Sequence, residues 1–351
     1  MESSNTLKLN SEATEFVPGG NPPPSTQPVP PVEAVPSPEA QVSDSLANEH
    51  YKYDDRIFQG KYGNINVLTK TQLLCFNPAE EKWYIHSTIS ESKIIKPEKY
   101  CSICMIDGTT FVMTGGLCKG VAQCTATKVQ ISTSYEGGRI EEVTPYTRLV
   151  EGRYLHSSVV YKGTLYILGG QSSPSVFLNT VESYKENIWQ IMPPMNKARS
   201  TFTAFASHNG IYVAGGFEGA NLLSGGIEKF TDELNRWDLI NTEIPMLAGM
   251  TLTSCDNFNT GVLLFGGSDG NEISNRIVEF NTETNAQRVR EQTLVFPRAR
   301  ALAYKKYDKI WIFGGGVNVG EEFDKTVVKA LEYGIPINTY EQLSAPFFIK
   351  N

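Results

Sequence analysis

At 351 residues the chain has room for two average domains or for one closed all-β architecture. Its 30 glycines, 16 tyrosines and 17 phenylalanines, with no long runs of Ala, Leu, Glu and Lys, favour strands and turns over helices. The net charge of −7 is concentrated in residues 1–50, where Glu2, Glu12, Glu15, Glu33, Glu39, Asp44 and Glu49 are set against Lys8 alone; the remainder is near −1 and has no Lys/Arg run, which argues against nucleic acid and anionic membranes as partners.

The polar opening MESSNTLKLNSE lacks the basic and apolar regions of a secretory leader, and apolar stretches such as Val262 to Phe265 are far too short for a membrane-spanning helix. Six irregularly spaced cysteines suit a reducing compartment, so a cytoplasmic location is expected. Residues 18–38 hold nine prolines, and residues 1–50 contain one aromatic, Phe16. Such a segment buries too little apolar surface to offset its ordering entropy, so a disordered acidic tail over 1–50 is expected, followed by a single folded body over 51–351. Pro28 to Pro31 forms a PxxP with no basic residue nearby to orient it, and reads better as spacer than as ligand.

The body repeats itself. QLLCFNPAEEKW opens it with an aromatic step from Phe76 to Trp83. Five times thereafter a short apolar strand ends in a glycine pair: Gly115 and Gly116, Gly169 and Gly170, Gly215 and Gly216, Gly266 and Gly267, Gly314 and Gly315. The pairs lie 54, 46, 51 and 48 residues apart, and after each of the last four comes a strand ending in an aromatic: Tyr184, Phe230, Phe280 and Tyr333. Trp189, Trp237 and Tyr340 follow three of these, and Gln287 stands in that place after Phe280. The unit between Gly116 and Gly169 fits least well, with Ile131 where the aromatic belongs.

The glycine pair, the third-strand aromatic and the fourth-strand Trp together resemble the kelch motif, whose period is near 50 residues. The resemblance covers roughly 51–351 and implies an all-β fold, a six-bladed kelch-type β-propeller of four-stranded antiparallel blades. Five units plus the fragment around Phe76 make six blades if one strand comes from elsewhere. In kelch propellers one terminus often completes the blade begun by the other, and the apolar ending APFFIKN resembles such a donor.

Catalytic signals are sparse. Of His50, His86, His156 and His208, the first belongs to the tail and the last two stand 13 and 7 residues before their glycine pairs, at different places in their blades, which disfavours the His and Tyr copper centre of galactose oxidase-like kelch enzymes. Cys101 and Cys104, with Cys118 and Cys124 downstream, imitate a zinc pattern, but the first two fall in a predicted strand where odd spacing sends them to opposite faces. No glycine pair continues as a phosphate loop. Neither metal nor cofactor is expected, and the chain is read as a non-catalytic protein-interaction module, a scaffold or adaptor. The alternatives are a kelch-fold enzyme acting on a small metabolite, or a structural component of a larger assembly.

One chemical regularity remains. Sixteen residues before each glycine pair stand Lys99, Arg153, Arg199, Met250 and Arg298. Two readings apply. These cations gather at one mouth of the axial channel, where kelch domains similar to this one bind short acidic peptides; or they satisfy carbonyls and carboxylates of neighbouring blades. The rim loops Phe217 to Ser224 and Gly316 to Thr326 are further candidates for partner contact.

Overall fold

The computed structural model describes residues 98–107, 110–132, 139–220, 222–254, 261–306 and 309–315, together with strands at 64–68, 72–77, 82–88, 321–324, 327–330 and 345–349. The acidic proline-rich segment 1–50, Tyr333 and Tyr340 lie outside them.

These residues form six four-stranded antiparallel sheets. The first comprises β1 (Asn64–Leu68), β2 (Gln72–Asn77) and β3 (Lys82–Thr88), and the second β4 (Ser102–Met105), β5 (Thr110–Thr114), β8 (Ala126–Ser132) and β9 (Arg139–Pro145), with a small hairpin of β6 (Leu117–Cys118) and β7 (Val121–Ala122) at its end. The third is β10 (Ser157–Tyr161), β11 (Thr164–Ser173), β12 (Val176–Lys185) and β13 (Ile188–Met192). The fourth is β14 (Thr203–Ser207), β15 (Gly210–Ala214), β18 (Ile227–Thr231) and β19 (Arg236–Ile240), carrying the hairpin β16 (Phe217–Gly219) and β17 (Leu222–Leu223). The fifth is β20 (Thr251–Ser254), β21 (Gly261–Phe265), β22 (Ile277–Asn281) and β23 (Gln287–Val289), and the sixth β24 (Ala301–Lys306), β25 (Lys309–Gly314), β26 (Glu321–Asp324) and β27 (Val327–Ala330).

The chain's last strand, β28 (Ala345–Ile349), pairs with β1 from Asn64 opposite Ile349 to Leu68 opposite Ala345. It supplies the missing innermost strand of the first blade, as the apolar ending APFFIKN leads one to expect, and lies beside β4 and β24. The ring is thereby closed, which removes the long open edge that an incomplete blade would present.

Among the described residues, apolar side chains on both faces of the second strands hold the blades together. In β15, Ile211 and Val213 enter a cluster with Tyr166, Leu168 and Val181 of the third blade, whereas Tyr212 and Ala214 pack with Val262, Leu264 and Phe280 of the fifth. Alternation thus sends successive residues to opposite neighbours, and a strand buried on both sides reads as an unbroken apolar run. The expected aromatic pairs are in register: Phe76 opposite Trp83, Tyr184 opposite Trp189 and Phe230 opposite Trp237, with Gln287 opposite Phe280.

Two blades depart from the sequence reading. In the second, Val129 rather than Ile131 stands opposite Phe111, and Val143 faces it from β9 where the first, third and fourth blades have Trp. In the sixth, the third strand is Glu321–Asp324, with Phe323 opposite Ile310, so the segment read as a long rim loop contains that strand and the one expected at Tyr333 is displaced. Both segments alternate acceptably for a strand, and pairing with β25 selects the earlier one.

Candidate functional site

Three connections from the outer strand of one blade to the inner strand of the next carry an arginine that ties the two. The Arg153 carbonyl accepts from the Gly116 N–H of the second blade at 2.8 Å. Its guanidinium reaches forward into the third blade, donating to the Gly169 carbonyl at 2.9 Å, the Thr180 carbonyl at 3.2 Å and the Glu182 carboxylate at 2.5 Å. Arg199 repeats the arrangement one blade on, its carbonyl accepting from Gly170 and its guanidinium donating to Gly215 at 2.8 Å, Gly226 at 3.3 Å and Glu228 at 2.5 Å. The Arg298 carbonyl accepts from Gly267, and its guanidinium donates to the Gly314 carbonyl at 2.6 Å.

All three guanidinium groups are buried, as are Glu182 and Glu228, whose remaining acceptor capacity is filled by N–H groups of Val150 and Glu151 and of Asn196 and Lys197. Burial lowers the pKa of Arg153 and of Arg199, and the adjacent glutamate opposes that shift. These arginines therefore stand as blade ties, the second of the two readings of their common offset. A partner carboxylate would have to displace Glu182 or Glu228 to reach Arg153 or Arg199.

The offset itself fails in two blades, because the hairpin of first and second strands varies in length. Thr251 pairs with Phe265 in the fifth blade and Ser102 with Thr114 in the second, three residues and one residue longer than the Ser157 to Leu168 pairing of the third. The position matching Arg199 is consequently Leu247 in the fifth blade and Glu98 in the second, not Met250 and Lys99. Close approach confirms the fifth-blade match: a side chain on Gly169 would meet the Arg199 carbonyl at 2.8 Å, and one on Gly215 would meet the Leu247 carbonyl at 2.1 Å. Opposite Leu264, where Glu228 stands opposite Val213, is Val278, and Leu247 and Val278 belong to one apolar cluster. The fifth blade thus replaces the ion pair by two aliphatic residues. In the sixth blade the register puts Glu321 at this place, opposite Ile312.

Two residues beyond each tie the backbone enters the left-handed region at Tyr100, Leu155, Thr201, Gly249 and Arg300, with φ from 53 to 63°. These five residues bond to one another around the axis: Leu155 N–H donates to Tyr100, Thr201 to Leu155, Gly249 to Thr201 and Arg300 to Gly249, at 2.6 to 3.0 Å. Left-handed φ costs a non-glycine residue on the order of 1–3 kcal/mol, so the collar persists because the blades over-determine it. Nothing in five unlike side chains announces such a ring, and sequence reasoning missed it.

Cations gather on one arc of this collar. The Arg300 guanidinium lies 5.1 Å from the Tyr100 ring centroid, the Lys99 ammonium lies 5.0 Å from the same ring, and Tyr154 stands 6.4 Å from it. The Arg300 stem crosses Gly249, where a Cβ would come within 2.9 Å of its Cγ. Arg300 and Lys99 are exposed, and among the described residues neither has a carboxylate partner. Surrounding groups nevertheless partly desolvate Arg300 and lower its pKa, with Tyr100 acting in the opposite direction. The arrangement offers forked N–H donors and a second positive charge beside an aromatic surface, a setting suited to a carboxylate.

The remaining candidates sit elsewhere. His156 is buried, bonded through Nε2 to Thr114 Oγ1 at 2.8 Å, and desolvation, aided by Arg153, depresses its pKa to about 3. His208 is exposed on the turn after β14, 3.8 Å from Glu283. Cys101 precedes β4 and Cys104 lies within it; burial pushes both thiols up to about 12, away from the thiolate a metal would require. Among the described residues no three His, Cys, Asp or Glu side chains converge as a metal site.

Comparison with known proteins agrees with this architecture. A family profile for the Kelch motif matches residues 152–196, which span Arg153 and all four strands of the third blade. Kelch-like protein 23 of Homo sapiens is 31% identical over 170 residues, 47% of this chain and 27% of that protein. Spermatocyte protein spe-26 of Caenorhabditis elegans is 25% identical over 246 residues, 68% of this chain and 40% of that one. These matches span less than half the length of either relative. The solved structure of YjhT superposes with a TM-score of 0.57 at 14% identity, over 68% of this chain and 85% of the other, a likeness of fold alone. With glycine pairs, third-strand aromatics and pairing of the last strand with the first in register, and with the Kelch-motif match and the likeness to Kelch-like protein 23, the chain is a kelch-repeat β-propeller.

Proposed function

We propose that this propeller is a non-catalytic, cytoplasmic protein-interaction module that takes an acidic segment of a partner protein at the mouth of its axis. Kinship with kelch-like proteins supports the coarser reading, a module that binds other proteins. The finer reading is carried by one observation: Arg300 and Lys99 converge on Tyr100 at the mouth, exposed and without a carboxylate partner among the described residues. The buried arginines hold the scaffold, and the exposed cations beside Tyr100 meet the partner. Two like charges held near one ring repel each other, and a partner carboxylate relieves that repulsion while accepting the Arg fork.

The test compares wild type with the Lys99→Glu/Arg300→Glu protein in affinity capture from cell lysate, coupled to cross-linking and mass spectrometry at matched melting temperatures. Partners lost from the variant are expected to cross-link near Tyr100 through acidic segments, and their binding is expected to weaken as salt rises. Identical capture by both proteins refutes the reading.

A further inference from the structure

We infer that the acidic segment is flanked by aliphatic side chains, which seat on a crown of four exposed aliphatic residues surrounding the cationic centre. This rests on the reading of the mouth as an acidic-segment site. In four consecutive blades the hairpin between the second and third strands rises from the face that carries the collar, its foot bridged to the inter-blade connection: Lys99 to Leu117, Tyr154 to Gln171, Ser200 to Phe217 and Ala248 to Ser268. The returning arm of every one of these hairpins presents an exposed aliphatic residue: Val121 at 62%, Val176 at 46%, Leu222 at 59% and Ile273 at 50%. Val121, Val176 and Leu222 take one place, opposite Cys118, Ser173 and Gly219 and one residue before the partner of the foot, whereas Ile273 pairs with the foot residue Ser268 itself, the place of Ala122, Phe177 and Leu223 in the other three hairpins.

Single exposed aliphatics are ordinary on a protein surface. Three at one place in three adjacent blades, with Ile273 one residue further along in the next, form a pattern that local packing does not require, since none of the four belongs to a core cluster among the described residues. Val150 and Val295, on the connections three residues before Arg153 and Arg298, add exposed apolar surface beside the crown. Charge complementarity selects the occupant. An apolar rim around a basic centre would also suit an anionic bilayer, but the hairpins that carry Leu222 and Ile273 also bear Glu218, Asp269 and Glu272. Glu218 is paired with Lys197 at 3.0 Å, but Asp269 and Glu272 would repel anionic headgroups, whereas a peptide with its acidic residues confined to the middle avoids them.

The experiment titrates two fluorescein-labelled pools of short peptides into the full-length protein, both with a central Glu-Glu, one flanked by Leu, Ile and Val and the other by Ser, Thr and Asn. The aliphatic pool is expected to bind about tenfold more tightly, as burial of a few methyl groups provides. A protein carrying Val121→Ser, Val176→Ser, Leu222→Ser and Ile273→Ser should lose that preference and keep its affinity for the polar pool; Ile273→Ser alone should lose part of it. Equal wild-type affinity for the two pools overturns the crown and leaves the acidic site standing. Failure of both pools, or binding indifferent to Arg300→Glu, overturns the acidic site and the crown with it. Crown-dependent dimerisation in sedimentation, or crown-dependent binding to phosphatidylserine vesicles, would assign the surface to another occupant and likewise overturn the inference.

Discussion

Replacing Arg199 by Leu removes a guanidinium that joins Gly215, Gly226 and Glu228 and leaves Glu228 fully buried without its cation. Breaking one side of a buried ion pair costs about 3–5 kcal/mol. Glu228 keeps the N–H groups of Asn196 at 2.6 Å and Lys197 at 3.1 Å and the Asn196 side-chain amide at 3.0 Å, which sets the expected loss near the lower end, about 3 kcal/mol. In a domain of this size that corresponds to a fall of roughly 6–12 °C in Tm. The fifth blade shows how the chain itself dispenses with the pair, through Leu247 and Val278. The double change Arg199→Leu/Glu228→Val copies that solution. It should restore stability to within about 1–2 kcal/mol of wild type, because well-packed aliphatics often match a buried ion pair once both desolvation penalties are gone. Urea unfolding followed by circular dichroism measures all three proteins, and peptide titration at the mouth should find the double variant unchanged in affinity. A double variant no more stable than Arg199→Leu, or a harmless Arg199→Leu, would refute this account of the ties.

Valine at Gly266 would bring its Cβ to 2.1 Å from the Arg298 carbonyl at φ +64°, so Gly266→Val should cost more than about 2 kcal/mol in denaturant titration. Truncation before Ala345 removes the β28 partner along the whole of β1, leaving it paired with β2 alone, and should lower Tm sharply and promote aggregation; an unchanged melting curve would contradict closure by β28. His156 has a folded pKa near 3 against an ordinary value of about 6.5, so its contribution is fully present above pH 6.5 and is lost as pH falls toward 3, because only the unfolded chain takes up the proton. His156→Phe, which places there the residue found at Phe202 one blade on, should remove about 2 kcal/mol of the stability lost between pH 7 and pH 5. Parallel pH slopes for the two proteins would rule this out.

Most of the fold was legible in the sequence because its determinants are local. Gly215 follows the end of a second strand and Gly169 sits at a register shift within one, each at a point where a neighbouring carbonyl leaves no room for a Cβ, and Tyr184 and Phe230 follow in a strand whose alternation fixes their face. The apolar ending at Phe347 and Phe348 likewise showed where the ring would close. The third strand of the sixth blade was not legible, since 321–324 and the stretch ending at Tyr333 both satisfy strand preferences and only register against β25 separates them. Nor was the candidate site. Counting sixteen residues back identified arginines correctly at Arg153, Arg199 and Arg298, but burial, which depends on what the neighbouring blade presents, made them ties. The same count gave Met250 for Leu247 and Lys99 for Glu98, because turn length shifts equivalence without disturbing composition. Lys99 reaches the mouth through its own bridge to Leu117, and Arg300 meets Tyr100 across blades distant in the chain, on a collar specified by backbone hydrogen bonds. Side-chain identity determines which strands form and which faces they bury. Which cations stay unpaired is decided only when closure of the ring sets each residue beside neighbours that its own segment does not encode.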